Sequence, residues 1–332
     1  MSARGSTADR PDIVVTGATG FVGSAVLREL VALGMGARVR VLTRRPVPMW
    51  MVEAGVTTWF GDLTDAASLA GLCAGSTTLV HLASQVGGGP ALCTAVNEDG
   101  TANVLAEARD SGTAHVLHLS TCAVYRDGVH GGVAEPGWGR RLMTDPVSPT
   151  SRTRLAAERM VLAAGGTVLR PHLIHGAGDR HVVPTLVRWI QAVPAWAAGG
   201  SAFASLVAVA DLAAAIAVLA LNPRASRRGG EVFHVADPRP VQVRQLVTAM
   251  CELFDLPLPV VDLPLDKHRV RTRAELPWLT DHQYSLLTRD HWYESSRIWK
   301  LTGVSPGPGF RPRLAEAADW YRESLRIREP VG

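Results

Sequence analysis

Between Ile13 and Arg170 the chain alternates two hydrophobic patterns. Short β-branched and apolar runs read as strands at Ile13–Thr16, Arg38–Thr43, Thr57–Phe60, Thr78–His81, His115–Ser120 and Thr167–Arg170. Between them, Val22–Leu33, Ala91–Ser111 and Ser151–Ala164 carry apolar residues at helical spacing. This alternation predicts an α/β fold of Rossmann type, a doubly wound parallel sheet with helices on both faces. The Gly- and Pro-rich stretch Tyr125–Pro149 interrupts it and reads as a long loop, with residues 126–149 placed like a lid.

Beyond Gly176 the alternation loosens. Helical patterns at Val183–Ala192, Ala208–Leu221 and Val243–Phe254 mix with apolar loops and one short strand, Glu231–Val235. Trp278, Trp292, Trp299 and Trp320 add aromatic mass here. The pattern predicts two units: residues 11–180 as the sheet domain, and residues 181–330 as a smaller C-terminal substrate lobe interleaved with it. No internal repeat or low-complexity tract appears.

Composition changes this picture little. Apolar residues make up 47% and charged residues 19%, a balance that supports a packed globular core rather than disorder. The net charge is +4, yet the basic residues are scattered, so no nucleic-acid partner is expected. Cys73, Cys93, Cys122 and Cys251 show no metal-ligand spacing; no metal is expected, and they read as small core residues in a reducing cytoplasm. Met1–Pro11 is polar and lacks the apolar run of a secretory signal, so the expected location is cytoplasmic. No membrane span is expected either, because Asp211 interrupts the apolar stretch Leu206–Leu221, which reads as a buried helix.

The strongest chemical signal follows the first strand. Thr16 leads into Gly17, Ala18, Thr19, Gly20, Phe21, Val22 and Gly23, and a helix begins there. This is GxxGxxG between a strand and a helix. Gly17 permits the tight turn, Gly20 lets a pyrophosphate approach the backbone, and Gly23 allows the helix to pack closely on the strand. The helix N-terminus then faces the anion. Tight packing explains many isolated glycine triplets, but here position, spacing and context agree on a dinucleotide. The second strand ends in Thr43, Arg44, Arg45, Pro46, where NAD-preferring proteins place a carboxylate for the ribose hydroxyls. Two guanidinium groups suit a 2′-phosphate, so NADPH/NADP is the expected cofactor; a solvated basic turn is the alternative.

The motifs together resemble the extended short-chain dehydrogenase/reductase family across nearly the whole chain. TGATGFVG (Thr16–Gly23) resembles its fingerprint. Gly61–Asp65 resembles the segment, here with Asp62 and Leu63, whose Asp contacts adenine. Val80–Ser84 resembles the fourth strand, which brings Leu82, Ala83 and Ser84 along the cofactor, and Asn97–Val104 the helix that follows. His118–Tyr125 resembles the end of the fifth strand and puts Thr121 at the catalytic Ser/Thr position. Leu169–Gly176 resembles the segment lining the nicotinamide, here with Pro171, His172 and Leu173.

One motif of the family is missing. The YxxxK tyrosine and lysine fall on Thr150 and Arg154, with the following Leu155–Glu158 fixing the register. No lysine occurs before Lys267, and none of Tyr125, Tyr284, Tyr293 and Tyr321 has a lysine four residues later. A threonine hydroxyl is too weak an acid to replace a tyrosine. Arg154 shares a helix face with Thr150 and can hold the nicotinamide ribose, but it cannot shuttle a proton at neutral pH. Thr121 can still hydrogen-bond a substrate carbonyl. A reductase that draws its proton from water or a substrate hydroxyl is one expectation; a non-catalytic NADPH-binding regulator is the other.

For the substrate, family members acting on nucleotide sugars grip the diphosphate with an arginine at the position Ala204 occupies, and the surroundings here are apolar, which argues against that class. Leu276–Thr280, Tyr293–Arg297 and Leu301–Pro306 resemble the 3β-hydroxysteroid dehydrogenase branch, whose members take flat apolar ketones. The combination resembles an atypical polyketide ketoreductase acting on angucyclinone-type ketones in antibiotic biosynthesis; a nucleotide-sugar epimerase or 4-ketoreductase remains the alternative. Gln85, Tyr125 and His175 are candidate substrate contacts. His172 and His175 read either as substrate-orienting or as structural histidines, and Tyr125 either lines the pocket or packs the core. Relatives often pair through helices, so a homodimer is open.

Overall fold

The computed structural model describes residues 12–137, 142–222 and 230–325. The expected domain limits at 11 and 330, and part of the 126–149 stretch, lie outside the described residues. A seven-stranded parallel sheet forms the centre. Its strands are β1 (Ile13–Thr16), β2 (Val39–Thr43), β3 (Thr57–Phe60), β4 (Thr78–His81), β5 (His115–Leu119), β6 (Thr167–Pro171) and β7 (Val232–Val235). Their spatial order is β7-β6-β5-β4-β1-β2-β3. The order reverses between β1 and β4, where the chain leaves the sheet in both directions and a crevice opens at the carboxyl ends of the strands.

Helices cover both faces. On one, α1 (Phe21–Ala32) packs on α4 (Val209–Leu221). Val26, Leu27 and Leu30 of α1 are fully buried beside the small residues Ala213, Ala217 and Ala220 of α4, which let the helices approach closely. Each such aliphatic side chain contributes about 1.5–3 kcal/mol by leaving water. On the other face, α2 (Gly100–Asp110) and α3 (Pro149–Ala163) bury Val104, Ala108 and Val161 against Leu72, Leu79 and Val168. A third core, built around Leu186, Ile190, Leu246, Met250 and Tyr321, sits in the C-terminal lobe.

The central strands lie where the hydrophobic pattern puts them. Three expectations need correction. Ala91–Ser111 is not one regular helix: Pro90–Cys93 and α2 are joined by a π-helical turn, Thr94–Asp99. Glu231–Val235, read as part of the looser second half, is instead an edge of the main sheet: β7 pairs in parallel with β6 through Val232↔Val168 and Val235↔Pro171. The stretch after Tyr125 also holds a short strand, His130–Val133, paired with His291–Tyr293 of the C-terminal lobe.

Candidate functional site

A cavity of about 480 Å³ opens along the carboxyl ends of β1, β2, β4, β5 and β6. At one end stands the glycine turn. Gly17 adopts φ +73°, and a Cβ there would lie 2.6 Å from the Ala83 nitrogen. A Cβ on Gly23 would lie 2.0 Å from the Gly17 carbonyl oxygen, so the helix can meet the strand only through glycine. Around Gly20, by contrast, only the Gly17 carbonyl comes near, which leaves the outer side of the turn open. The first turn of α1 has no side-chain cap and no acidic residue. Its free N–H groups and positive dipole end are therefore available to an anion, and the turn fits a pyrophosphate.

Arg44 and Asp62 both stand on the cavity wall beyond the ends of β2 and β3. The Asp62 carboxylate accepts from the Thr64 amide and hydroxyl, each at 2.9 Å. Those bonds, the amide foremost, and Arg44 beside it hold its pKa below the usual carboxylate value. Arg45 is exposed and stands off the wall; its carbonyl takes the Thr43 hydroxyl.

Below the middle of the cavity runs a chain of hydrogen bonds whose directions can be derived. Thr101 donates to the Asn97 carbonyl at 2.6 Å, so its oxygen accepts from His81 Nε2 at 3.0 Å. His81 Nδ1 then accepts from the Thr16 hydroxyl at 2.7 Å, and Thr16 accepts from the Ala83 amide. Burial pushes His81 down to about 4, which keeps this neutral arrangement. His118 stacks on His81 at 5.1 Å.

At the far end, α3 presents Thr150, Arg154 and Glu158 four residues apart on one face. Glu158 is fully buried and makes a two-pronged pair with Arg170 of β6, at 2.9 and 2.5 Å, fixing the helix to the sheet. Arg154 Nε donates to Ser84 Oγ at 2.8 Å, and Ser84 in turn donates to Asn97 Oδ1. The π-turn carries Asn97, whose amide also holds the Gln85 backbone at both its N–H and C=O. Burial lowers the Arg154 pKa to about 10, against the pull of Glu158, so the guanidinium stays charged at pH 7. Thr121 lines the cavity; its oxygen accepts from the Ala123 amide at 3.1 Å, and no described residue takes its proton.

The cavity gathers Gly17, Thr19, Gly20, Phe21, Val22, Gly23, Arg44, Asp62, Leu63, Leu82, Ala83, Ser84, Gln85, Thr121, Arg154, Pro171 and His172 from the sequence reading. Six positions fall outside it, each for a visible reason. Ala18 is buried in the core beneath the turn. Arg45 points to solvent, and Leu173 packs against the C-terminal core. The Thr150 hydroxyl accepts from the Gly87 amide at 3.2 Å and lies 3.6 Å from Cys93 Sγ. Tyr125 is buried with its hydroxyl 2.6 Å from His234 Nε2 and its ring under Arg170. His175 is buried edge-on to Phe310. Ile174 and His181 line the cavity without having been expected. A legible signal existed for His181: Asp179 stands just before a helical pattern and caps it, accepting from the amides of His181, Val182 and Val183.

His172 lines the same cavity beside Pro171. Its ring stacks on His291 at 5.9 Å and leans on Tyr293 at 5.2 Å. Burial first, then the neighbouring His291, His130, His282 and His234, holds its pKa well below 6.5.

Among the described residues, no helix is long and apolar enough to cross a membrane, and no group of His, Cys, Asp and Glu could hold a metal. The family model for the NAD dependent epimerase/dehydratase family matches residues 13–236. Among curated proteins, the 4-hydroxy-2-methyl-3-oxo-4-farnesyl-3,4-dihydroquinoline-1-oxide ketoreductase of Stigmatella aurantiaca is 31% identical over 264 residues, 77% of each chain. The 2-alkyl-3-oxoalkanoate reductase of Stenotrophomonas maltophilia is 30% identical over 321 residues, 89% of this chain and 94% of that one. A dTDP-glucose 4,6-dehydratase structure from Streptomyces venezuelae with NAD bound superposes with a TM-score of 0.71 at 21% identity, over 97% of this chain and 100% of the other. With the phosphate turn, the switch-point cavity and these likenesses in agreement, the chain belongs to the NAD dependent epimerase/dehydratase family and is an NAD(P)-dependent oxidoreductase.

Proposed function

We propose that the protein is an NADPH-dependent ketoreductase acting on a polycyclic aromatic, angucyclinone-type polyketide ketone in antibiotic biosynthesis. The observation that carries this reading is one cavity that joins a phosphate turn to Thr121, Arg154 and His172, with Thr150 turned away to Gly87. When bound, NADPH supplies a hydride to the carbonyl carbon. Thr121 has a proton free to donate to the carbonyl oxygen as it becomes an alkoxide. Arg154, held by Ser84, would grip the nicotinamide ribose and keeps a positive charge near the reacting groups. Neither gives up a proton readily at pH 7, so the alkoxide takes one from water or from a neighbouring substrate hydroxyl, which then recovers it from solvent. Thr150 serves by fixing the loop that follows Gln85 through the Gly87 amide rather than by touching substrate.

The choice of NADPH rests on Arg44 at the adenosine end and on the absence of a carboxylate at the end of β2. The apolar ketone rests on Ala204, buried where nucleotide-sugar enzymes of the family carry an arginine, and on the names of the two ketone-reducing relatives. A cytoplasmic location goes with this reading. Purified protein is to be assayed for NADPH oxidation with polycyclic aromatic ketones, with and without a hydroxyl beside the carbonyl, and with sugar nucleotides. Turnover of the ketones, faster where the hydroxyl is present, is the expected result. Turnover of sugar nucleotides alone would replace the reading by the epimerase one, and NADPH binding without any oxidation would favour a regulator.

A further inference from the structure

The two ring nitrogens of His172 meet different surroundings. Nε2 is buried and has no hydrogen-bond partner. No described residue bonds Nδ1 either, yet that nitrogen is not enclosed, since the side chain is half-buried and forms part of the cavity wall. The groups packed behind the ring are already committed. His130 Nε2 lies 2.8 Å from the Arg126 carbonyl, which can only accept, so that nitrogen carries the hydrogen. His130 Nδ1 must then accept, and the Tyr293 hydroxyl 2.7 Å away donates to it. His291 Nδ1 likewise donates to the Arg289 carbonyl at 3.0 Å, which leaves its own buried Nε2 a bare lone pair.

A neutral imidazole carries one N–H. Placed on His172 Nε2, that hydrogen would be buried with no acceptor in reach, an arrangement folded proteins rarely tolerate. Placed on Nδ1, which is not among the buried unpartnered atoms, it stays open to water or a ligand, and only a lone pair stays dry. The register of the strands sets where this N–H stands. β5 and β6 pair through Leu119↔Leu169, and the Ser120 amide continues the ladder to the Leu169 carbonyl. Thr121 therefore ends beside Pro171, with His172 the next residue along.

We propose that His172 holds its proton on Nδ1 and donates that N–H to the carbonyl oxygen of the substrate, sharing with Thr121 the place of the absent tyrosine hydroxyl. The inference rests on the ketoreductase reading and deepens it. No proton leaves the ring: the N–H polarises the C=O bond and hydrogen-bonds the alkoxide, while the hydride and the proton come from the sources given above. Burial and the four surrounding histidines keep the ring uncharged at pH 7, as a donor of this kind requires.

Two measurements test it. The first is the ring ¹⁵N spectrum of His172 in the NADPH-bound protein, where the Nδ1–H tautomer is expected. An Nε2–H tautomer overturns the proposal whatever the protein turns over. The second compares His172→Phe with His172→Asn, whose amide nitrogen can stand near the Nδ1 position. The Phe variant is expected to lose kcat by about 10²–10³-fold, the range seen when one oxyanion donor is removed. The Asn variant is expected to recover at least tenfold of that loss (roughly, for a partly matched donor), both variants being measured at saturating NADPH. A Phe variant as fast as the wild type, or two variants equally slow or equally poor in binding NADPH, overturns it. Absence of ketone turnover in the wild type sinks the ketoreductase reading and this proposal with it; ketone turnover that ignores His172 sinks this proposal alone.

Discussion

Arg44 and Arg154 show how position decides what the same side chain is worth. Arg154 is desolvated, tied to Ser84, and close enough to Glu158 to feel its charge. Arg44 is 74% exposed, and its only described partner is Asp62 at 3.4 Å, a pairing too open to contribute much to stability. Under the NADPH reading, its value would lie in the doubly charged 2′-phosphate as a second partner. A charge-assisted hydrogen bond contributes about 1.5–3 kcal/mol when desolvated. At this exposure the lower end applies, which is about tenfold in affinity. Arg44→Ala is therefore expected to weaken NADPH about tenfold while leaving NADH nearly unchanged. Fluorescence titration with both cofactors checks this, and an equal loss for both would remove Arg44 from the 2′-phosphate site.

At the scale of elements, the sheet was legible because its strands are apolar runs bounded by turns and helices, a pattern that depends on sequence neighbours alone. The glycine turn between β1 and α1 was legible for the same reason: its three glycines, its strand and its helix are contiguous. The wall around His172 was not. Tyr125, His130, His172, His234, His291 and Tyr293 come from four separated segments, brought together by the pairing of His130–Val133 with His291–Tyr293 and of β7 with β6. The same distance hid the place of β7, which reaches β6 only after some sixty residues of intervening chain. Asp179 joins two such elements. It caps the helix Val182–Ala192 with three amides and accepts the Tyr321 hydroxyl at 3.0 Å, while that hydroxyl accepts from the Gly176 amide at 2.8 Å. Asp179→Ala removes the cap and leaves a buried hydroxyl without its acceptor. It is expected to cost about 2–4 kcal/mol, from the sum of a cap and an orphaned polar group. Urea unfolding would show this as a lower midpoint at unchanged slope; a loss under about 0.5 kcal/mol, the size of an ordinary surface substitution, would mean the junction is dispensable.

Across the whole molecule, the unusual common feature is a set of buried, uncharged histidines. Burial is the first cause in each case, lowering His81, His175 and His291 to about 4 and His234 to about 3. Their hydrogen bonds depend on the neutral form: His81 accepts from Thr16, and His234 Nδ1 donates to the Glu294 carbonyl so that its Nε2 can accept from Tyr125. The sign of the pH effect follows. Between about pH 4 and 6.5 the unfolded chain binds protons at these rings while the folded protein does not, so stability rises with pH through that window and is fully present above 6.5. Each histidine adds up to about 1.4 kcal/mol per pH unit to the slope, so several titrating together outweigh any single surface ion pair. The protein is expected to lose stability steeply from pH 6.5 to 5, well above the range where carboxylates protonate. Urea midpoints at pH 7.5, 6.5, 5.5 and 5.0 measure it. A flat profile over that range would mean the rings are reached by water in the folded state, and the ground for the proposed His172 tautomer would be lost with it.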